Sequence, residues 1–294
     1  MNKRLTIIVA AFLLMSIPAF GTAWAESWGK LVYDTEVSSQ TKEKFQKAVD
    51  ALDKLFTKYK IVLRDPVTVV VTADSESFIR ALMSHCNLSR AEAEHKAKTP
   101  VQGVSCIKAA IVIRSLPARQ LTPQGTSYPV NDPIEGFRTL PHELFHQVQN
   151  QYSGVQTVSW LSEGPPELFK FMALDAAGIR RVTDSVKLAE QAIRRAATIP
   201  DTRQLGTNDY KTWQSLAQQG YPVYHMAVVM TYRLVGDNGF EKVIFFRQLL
   251  HNLHKGDNPD KAFVTAFGVQ MSDFLADMND YFNRRAQKQI MGEQ

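Results

Sequence analysis

Apolar residues recur along the chain at spacings that change from one segment to the next. Within residues 41–59 they return every three or four positions, which predicts an amphipathic helix. Residues 67–72 are rich in valine and threonine and predict a strand, and residues 109–114 predict a second one. Residues 75–85 predict a further helix, and the segment 115–132, rich in Pro, Gly, Gln and Thr, predicts a loop. The first half of the chain therefore mixes helices with strands.

Helical periodicity dominates the second half of the chain. The predicted helices cover residues 167–177, 185–197, 221–234, 240–251, 260–267 and 272–286. The polar segment 200–218 predicts irregular or weakly helical structure. Strands followed by helices indicate an α+β fold, and the length suits one domain or a domain with two lobes.

The most informative local pattern is His142-Glu143-Leu144-Phe145-His146, an H-E-x-x-H sequence. Two histidines four positions apart are separated by just over one helical turn, so both imidazoles can bind the same metal ion. Glu143 then lies beside the ion, where it can accept a proton from an attacking water. Histidine is scarce in this chain, so the pattern should arise by chance in about one of a hundred such chains. The pattern therefore predicts a zinc site.

A second motif, Trp160-Leu161-Ser162-Glu163-Gly164, follows with 16 residues between His146 and Glu163. The two motifs in this order and at this distance resemble those of the gluzincin metallopeptidases, the thermolysin-like group with a His, His, Glu zinc site. More narrowly, they are similar to the peptidase-MA-like branch, which includes collagenase-type catalytic domains. The resemblance covers roughly residues 27–285, although only these two motifs are specific.

The resemblance implies one gluzincin-like domain over residues 26–294. Residues 27–135 would form its α/β part, and residues 136–294 would form the zinc-site helices and a helical lobe. A small mixed sheet would then pack on the H-E-x-x-H helix, hereafter the zinc helix, with a mainly helical C-terminal lobe behind it. In gluzincins the strand before the zinc helix lies at a sheet edge and pairs with extended substrate. Here that strand is 109–114, unless it is an ordinary buried strand.

The resemblance also implies a role for each motif residue. His142, His146 and Glu163 match the three zinc ligands, which leave a fourth position open, as in catalytic zinc sites. Glu143 matches the general base. Glu167 matches an acidic position that orients a ligand imidazole by accepting its other N–H, unless it is an ordinary helix charge.

Prolines beside both motifs bear on where the two helices begin. Pro165 and Pro166 follow Glu163, and proline is tolerated in the first turn of a helix but not in its interior. We therefore expect the ligand helix to begin near residues 164–165, with Glu163 at its entrance. Pro141 leaves two alternatives for the zinc helix, a start one or two residues before it or an earlier helix that kinks there.

A tyrosine downstream of the zinc site completes the resemblance. In the wider group such a tyrosine donates a hydrogen bond to the oxyanion of the tetrahedral intermediate. Tyr221 fits the family's spacing best, and Tyr224 is the alternative. Both tyrosines would equally suit the apolar face of a helix.

The N-terminus has the pattern of a bacterial secretory signal peptide. The basic pair Lys3-Arg4 precedes an apolar run over residues 5–17, and Ala23-Trp24-Ala25 matches an A-x-A cleavage site. We expect residues 1–25 to be removed, so that a periplasmic or secreted chain begins at Glu26. No later stretch approaches 18 apolar residues, so we expect no membrane span in that chain.

Charge and cysteine content limit the possible classes of binding partner and the cellular compartment. Loss of residues 1–25, which contain two basic residues and no acid, lowers the formal net charge from +5 to +3. No run of lysine and arginine is present, so we do not expect nucleic acid as a partner. Cys86 and Cys106 flank the charged segment 89–98 and are candidate disulfide partners in an oxidising periplasm.

These expectations combine into a periplasmic or secreted zinc peptidase that acts on peptides or proteins. Zn²⁺ would be held by His142, His146 and Glu163, Glu143 would be the general base, and Tyr221 would stabilise the oxyanion. One alternative is a non-catalytic zinc- or peptide-binding protein that retains the gluzincin fold. The other is a zinc amidase that acts on envelope polymers.

Overall fold

Four strands form a mixed sheet. The computed structural model describes residues 28–99, 102–115, 118–121, 127–130, 132–153, 157–196, 198–236 and 243–290. The strands are β1 (Gly29–Tyr33), β2 (Val67–Thr72), β3 (Gly103–Cys106) and β4 (Ala110–Arg114). Their order is β1-β2-β4-β3, with β1, β2 and β4 parallel and β3 antiparallel to β4.

Helices make up most of the remaining described chain. Their bounds are α1 (Ser39–Tyr59), α2 (Ser75–Cys86), α3 (Arg90–Lys98), α4 (Glu135–Tyr152), α5 (Ser159–Ala176), α6 (Val182–Arg195), α7 (Thr202–Leu205), α8 (Tyr210–Gln218), α9 (Val223–Val235), α10 (Val243–His254), α11 (Pro259–Phe267) and α12 (Met271–Ile290). The predicted α+β fold, with a small mixed sheet and a helical C-terminal part, is confirmed.

The sheet is buried on both faces because successive side chains of a strand point in opposite directions. In β2, Val69 and Val71 belong to the main core, which also contains the apolar faces of α1, α4, α5 and α9. Val70 points the other way into a smaller core with Phe78 and Leu82 of α2. The zinc helix α4 packs against α1, α5 and β3, so it lies between the sheet and the helical lobe.

The strand 109–114 is central rather than at the edge, so its assignment to an exposed edge is wrong and the buried alternative is correct. Every residue of β4 is buried, and β2 and β3 pair with it on either side. The strand at this edge of the sheet is β3, which leads through a tight turn into β4. β3 has four residues and little apolar character, so the sequence pattern did not reveal it.

A disulfide ties this edge strand to the layer of α2 and α3. Cys86 is the last residue of α2 and Cys106 the last residue of β3, and their Cα atoms lie 5.1 Å apart in the bonded pair. The predicted cysteine pairing is therefore confirmed. The short, polar helix α3 lies within the loop that the disulfide closes.

The segment predicted as a loop, residues 115–132, includes a small hairpin. Strands β5 (Ala118–Leu121) and β6 (Ser127–Val130) pair antiparallel with each other and form a separate two-stranded sheet. The predicted signal peptide, residues 1–25, and the expected start at Glu26 lie outside the described residues. Within the described ranges, every helix is too short or too polar to cross a membrane.

Helices α5 and α9 approach each other closely at Gly164, directly after the candidate ligand Glu163. A Cβ atom at position 164 would lie 2.2 Å from Oγ1 of Thr231 and 2.6 Å from the carbonyl oxygen of Ala227. Because a backbone carbonyl cannot move aside as a flexible side chain can, only glycine allows this approach.

Replacement of Gly164 by alanine should push α5 away from α9. We expect Gly164→Ala to lower the free energy of unfolding by about 1–3 kcal/mol, a typical cost of overpacking, as measured by urea denaturation. The matched control is Gly206→Ala, because the new Cβ would meet the movable end of the Leu275 side chain. An equal or larger loss of unfolding free energy in Gly206→Ala would contradict the explanation by close packing at Gly164.

Candidate metal centre

The zinc helix α4 supplies the two histidines from the middle of a continuous helix. It begins at Glu135 and continues through Pro141, so the helix starts earlier than one or two residues before this proline. His142 and His146 lie on the same side of α4, with ring centroids 4.7 Å apart. Both side chains are partly buried, which limits the positions that their rings can adopt.

The third candidate ligand, Glu163, lies within helix α5 rather than at its entrance. The expectation that this helix begins near residues 164–165 is wrong, because α5 begins at Ser159 and includes Pro165 and Pro166. The side-chain amide of Gln149 donates hydrogen bonds to backbone carbonyls of this turn, which replace helical bonds that the prolines cannot make. Glu163 is therefore held on a regular turn and is buried.

Three side-chain atoms converge on one point between α4 and α5. Nε2 of His142 and Nε2 of His146 lie 3.0 Å apart. Oε2 of Glu163 lies 3.4 Å from the first nitrogen and 3.7 Å from the second. Two imidazole nitrogens and a carboxylate oxygen at such distances are compatible with one bound metal ion, and all three potential ligand atoms lie within 4.8 Å of one another. The three predicted metal ligands are thus brought together.

Charge is balanced at this point even without a metal ion. Burial lowers the pKa of His142, but the nearby carboxylates of Glu163 and Glu167 outweigh it and raise this pKa to about 10. Burial raises the pKa of Glu163, but the contact with His142 lowers it overall. In the metal-free protein a proton on His142 therefore supplies positive charge to the buried carboxylate.

Glu167 lies beside the outer nitrogen of His142, as the resemblance implied. Its Oε1 is 2.9 Å from Nδ1 of His142, and its Oε2 is 2.5 Å from Nζ of Lys170. Burial raises the pKa of Glu167, but the charge of Lys170 and the contact with His142 lower it to about 2. Glu167 is therefore a carboxylate that directs Nε2 of His142 towards the metal position.

An open cleft of about 990 Å³ runs past the three ligands. Its walls include residues 102–105 at the sheet edge on one side, and Tyr210, Gln214 and Tyr224 of the helical lobe on the other. Glu143 also lines the cleft and packs closely against β3, since a Cβ atom at Gly103 would lie 2.8 Å from its Cγ. The candidate base therefore contacts the edge strand and lines the same cleft as the three potential ligands.

The two tyrosines considered as oxyanion donors have different surroundings. Tyr224 lines the cleft, whereas Tyr221 packs against the main core. A third tyrosine, Tyr210, donates a hydrogen bond to Oε1 of Glu163 at 3.3 Å and also interacts with the hydroxyl of Tyr224. Burial and the charge of Glu163 raise the pKa of Tyr210, and they raise the pKa of Tyr224 to about 12, so both remain protonated donors.

Sequence reasoning missed Tyr210 and Gln149. Tyr210 lies in a polar segment that was expected to be weakly structured, and its contact with Glu163 joins residues 47 positions apart. Gln149 lies three residues after His146, on the same side of α4. This spacing is the one sequence feature that could have indicated its contact with the His146 ring. Comparisons with models of protein families, with characterised proteins and with solved structures found no significant match.

Metal binding should displace the proton of His142. Because its pKa is about 10, His142 is protonated near neutral pH, and a metal ligand must be deprotonated. Apparent zinc affinity should therefore rise with pH until that pKa is reached. At about pH 8, zinc titrations by calorimetry in two buffers of different ionisation enthalpy should detect more released protons for wild type than for Glu167→Gln. Equal proton release would contradict the charge pairing between His142 and Glu167.

Proposed function

We propose that this protein is a zinc peptidase of gluzincin type. The convergence of His142, His146 and Glu163 on one point beside Glu143, in an open cleft, carries the proposal. Zinc bonds of about 2.0–2.2 Å in tetrahedral geometry separate ligand atoms by roughly 3.3–3.6 Å. The observed separations of 3.0, 3.4 and 3.7 Å lie below, within and above this range. Two imidazoles and one carboxylate are also a common zinc donor set, and three ligands leave a position for substrate or water.

The chemistry would be hydrolysis of an amide bond. A zinc ion at this centre supplies a Lewis acid that polarises the scissile carbonyl and allows water to attack near neutral pH. Glu143 accepts the proton of the attacking water and transfers it to the leaving amine. Its position in the cleft beside β3, next to the first candidate ligand in the sequence, suits both transfers.

Tyr224 is the better candidate for the hydrogen-bond donor to the oxyanion. Tyr221 packs against the core, whereas Tyr224 lines the cleft. The single proton of Tyr210 is directed to Glu163, so the Tyr210 oxygen can only accept a hydrogen bond from the Tyr224 hydroxyl. When substrate is bound, the Tyr224 proton can turn from the Tyr210 oxygen to a substrate oxygen, while Tyr210 holds the ligand carboxylate.

The sheet edge favours an extended peptide as substrate. β3 is the last strand of the four-stranded sheet, and residues 102–105 line the cleft. The side of β3 that faces away from β4 offers backbone groups with which a peptide can pair. The disulfide between Cys86 and Cys106 and the N-terminal pattern of residues 1–25 support a periplasmic or secreted location.

Loss of the general base should abolish cleavage without loss of the metal. We expect Glu143→Gln to bind zinc stoichiometrically and to cleave a peptide library at least about 100-fold more slowly than wild type, as measured by mass spectrometry. Glu94→Gln, at a partly exposed glutamate of α3 that does not line the cleft, is the matched control and should cleave normally. A chelated sample should be inactive and should recover activity with added zinc.

The other possible outcomes separate the alternative functions. Zinc binding without cleavage of any peptide or of casein would contradict the peptidase proposal and favour a binding protein. Cleavage of peptidoglycan fragments alone would favour the amidase. Equal rates for Glu143→Gln and wild type would remove Glu143 from the mechanism.

Replacement of the cleft tyrosine should affect turnover rather than metal binding. We expect Tyr224→Phe to lower kcat by roughly 10²–10³-fold, as removal of an oxyanion donor does, with zinc content unchanged. Tyr221→Phe is the matched control and should keep kcat within about twofold, because its ring packs against the core. A larger loss of kcat in Tyr221→Phe would restore Tyr221 as the donor.

A further inference from the structure

The two prolines in helix α5 remove two backbone donors close to Glu163. In a regular helix, the N–H of residue 165 would donate to the carbonyl of Leu161, and that of residue 166 to the carbonyl of Ser162. Proline has no N–H, so neither Pro165 nor Pro166 can make this bond. Two carbonyl oxygens of the turn that carries Glu163 therefore need another donor.

One side chain of helix α4 supplies both missing bonds. Nε2 of Gln149 lies 3.1 Å from the carbonyl oxygen of Leu161 and 3.1 Å from that of Ser162. Since an amide nitrogen has two N–H groups, each carbonyl receives one of them. Carbonyl oxygens only accept hydrogen bonds, so the Gln149 amide must present its nitrogen to α5 and its oxygen elsewhere.

The oxygen of the same amide faces the ligand His146. Oε1 of Gln149 lies 2.8 Å from Nδ1 of His146. Because this oxygen accepts, Nδ1 must carry the proton, and Nε2 is left with its lone pair directed towards His142 and Glu163. The prolines of α5 thus determine the amide orientation, and the amide orientation determines which nitrogen of His146 can bind a metal.

We propose that Gln149 is a positioning residue that couples the proline turn of α5 to the imidazole of His146. It holds the turn of Glu163 and the ring of His146 through one amide group, so the ligands from two helices keep a common geometry. For His142 the corresponding outer partner is Glu167, and for His146 it is Gln149. This inference rests on the proposed metal site, which it extends to the residues that orient the ligands.

Removal of the amide should weaken metal binding and release the ring of His146. We expect Gln149→Met, which has a similar length but no hydrogen-bonding amide, to bind zinc about 10–100-fold more weakly in a chelator competition, as loss of an outer partner of a metal ligand does. In the metal-free protein, ¹⁵N NMR of the imidazoles should show that the preference for Nδ1–H at His146 is lost. Gln214→Met, at a cleft-lining glutamine of α8, is the matched control and should bind zinc normally.

Restored backbone donors should compensate for the loss of Gln149. With Pro165→Ala and Pro166→Ala together, backbone N–H groups can again serve the carbonyls of Leu161 and Ser162. In that background, the fold-loss of zinc affinity caused by Gln149→Met should be several-fold smaller than in the wild-type background. The difference between the two losses measures the coupling between Gln149 and the proline turn. Gln149→Glu, which keeps an acceptor for His146 but has no N–H donor, should bind zinc more tightly than Gln149→Met.

The outcomes distinguish this inference from the proposed function. If wild type binds zinc and Gln149→Met binds it equally well with an unchanged His146 tautomer, the positioning role is wrong and the metal site stands. If the cost of Gln149→Met is the same with and without the prolines, the coupling to α5 is wrong. If wild type binds no zinc, the proposed function fails, whatever the variants do. Far-UV circular dichroism of each variant confirms that the fold is retained.

Discussion

Burial of the Glu163 carboxylate is the constraint around which the site is arranged. A carboxylate that leaves water loses several kcal/mol of hydration unless opposite charge or hydrogen bonds replace it. Here the imidazoles of α4 and the hydroxyl of Tyr210 surround it, and a metal ion would complete the compensation. Because these partners come from different elements, α4, α5 and α8 must meet at one point. The glycine after Glu163 allows α5 to approach α9 closely, and α9 in turn packs against α8, which carries Tyr210.

Helix α4 connects this charged centre to the sheet through another glutamine. The side-chain nitrogen of Gln147 donates to Oγ of Ser105 at 2.7 Å and to the carbonyl of Cys106 at 2.6 Å, and the disulfide to Cys86 anchors the same end of β3. Helix α4 therefore carries the two histidines and also holds the strand at the cleft edge. This explains how a strand of four residues can keep a defined position beside Glu143.

The sequence predicted those parts of the molecule that depend on local spacing. Most of the longer helices, the strands at 67–72 and 109–114 and the convergence of two histidines follow from local spacing, and Glu163 was identified by a motif. The start of α5 was wrong because the rule against interior proline assumes that the freed carbonyls have no other donor. Gln149, twelve residues before Leu161, provides that donor. The edge strand β3 and Tyr210 were missed because their roles depend on contacts with distant residues.

The most direct test of this account is the location of bound metal in crystals grown with zinc. Anomalous scattering at the zinc edge should show one ion per chain between Nε2 of His142, Nε2 of His146 and the carboxylate of Glu163, with bonds of about 2.0–2.2 Å. The imidazole of His146 should then contact Gln149 through its outer nitrogen. A peak at other residues, or no peak at this point in a folded protein, would contradict the central claim.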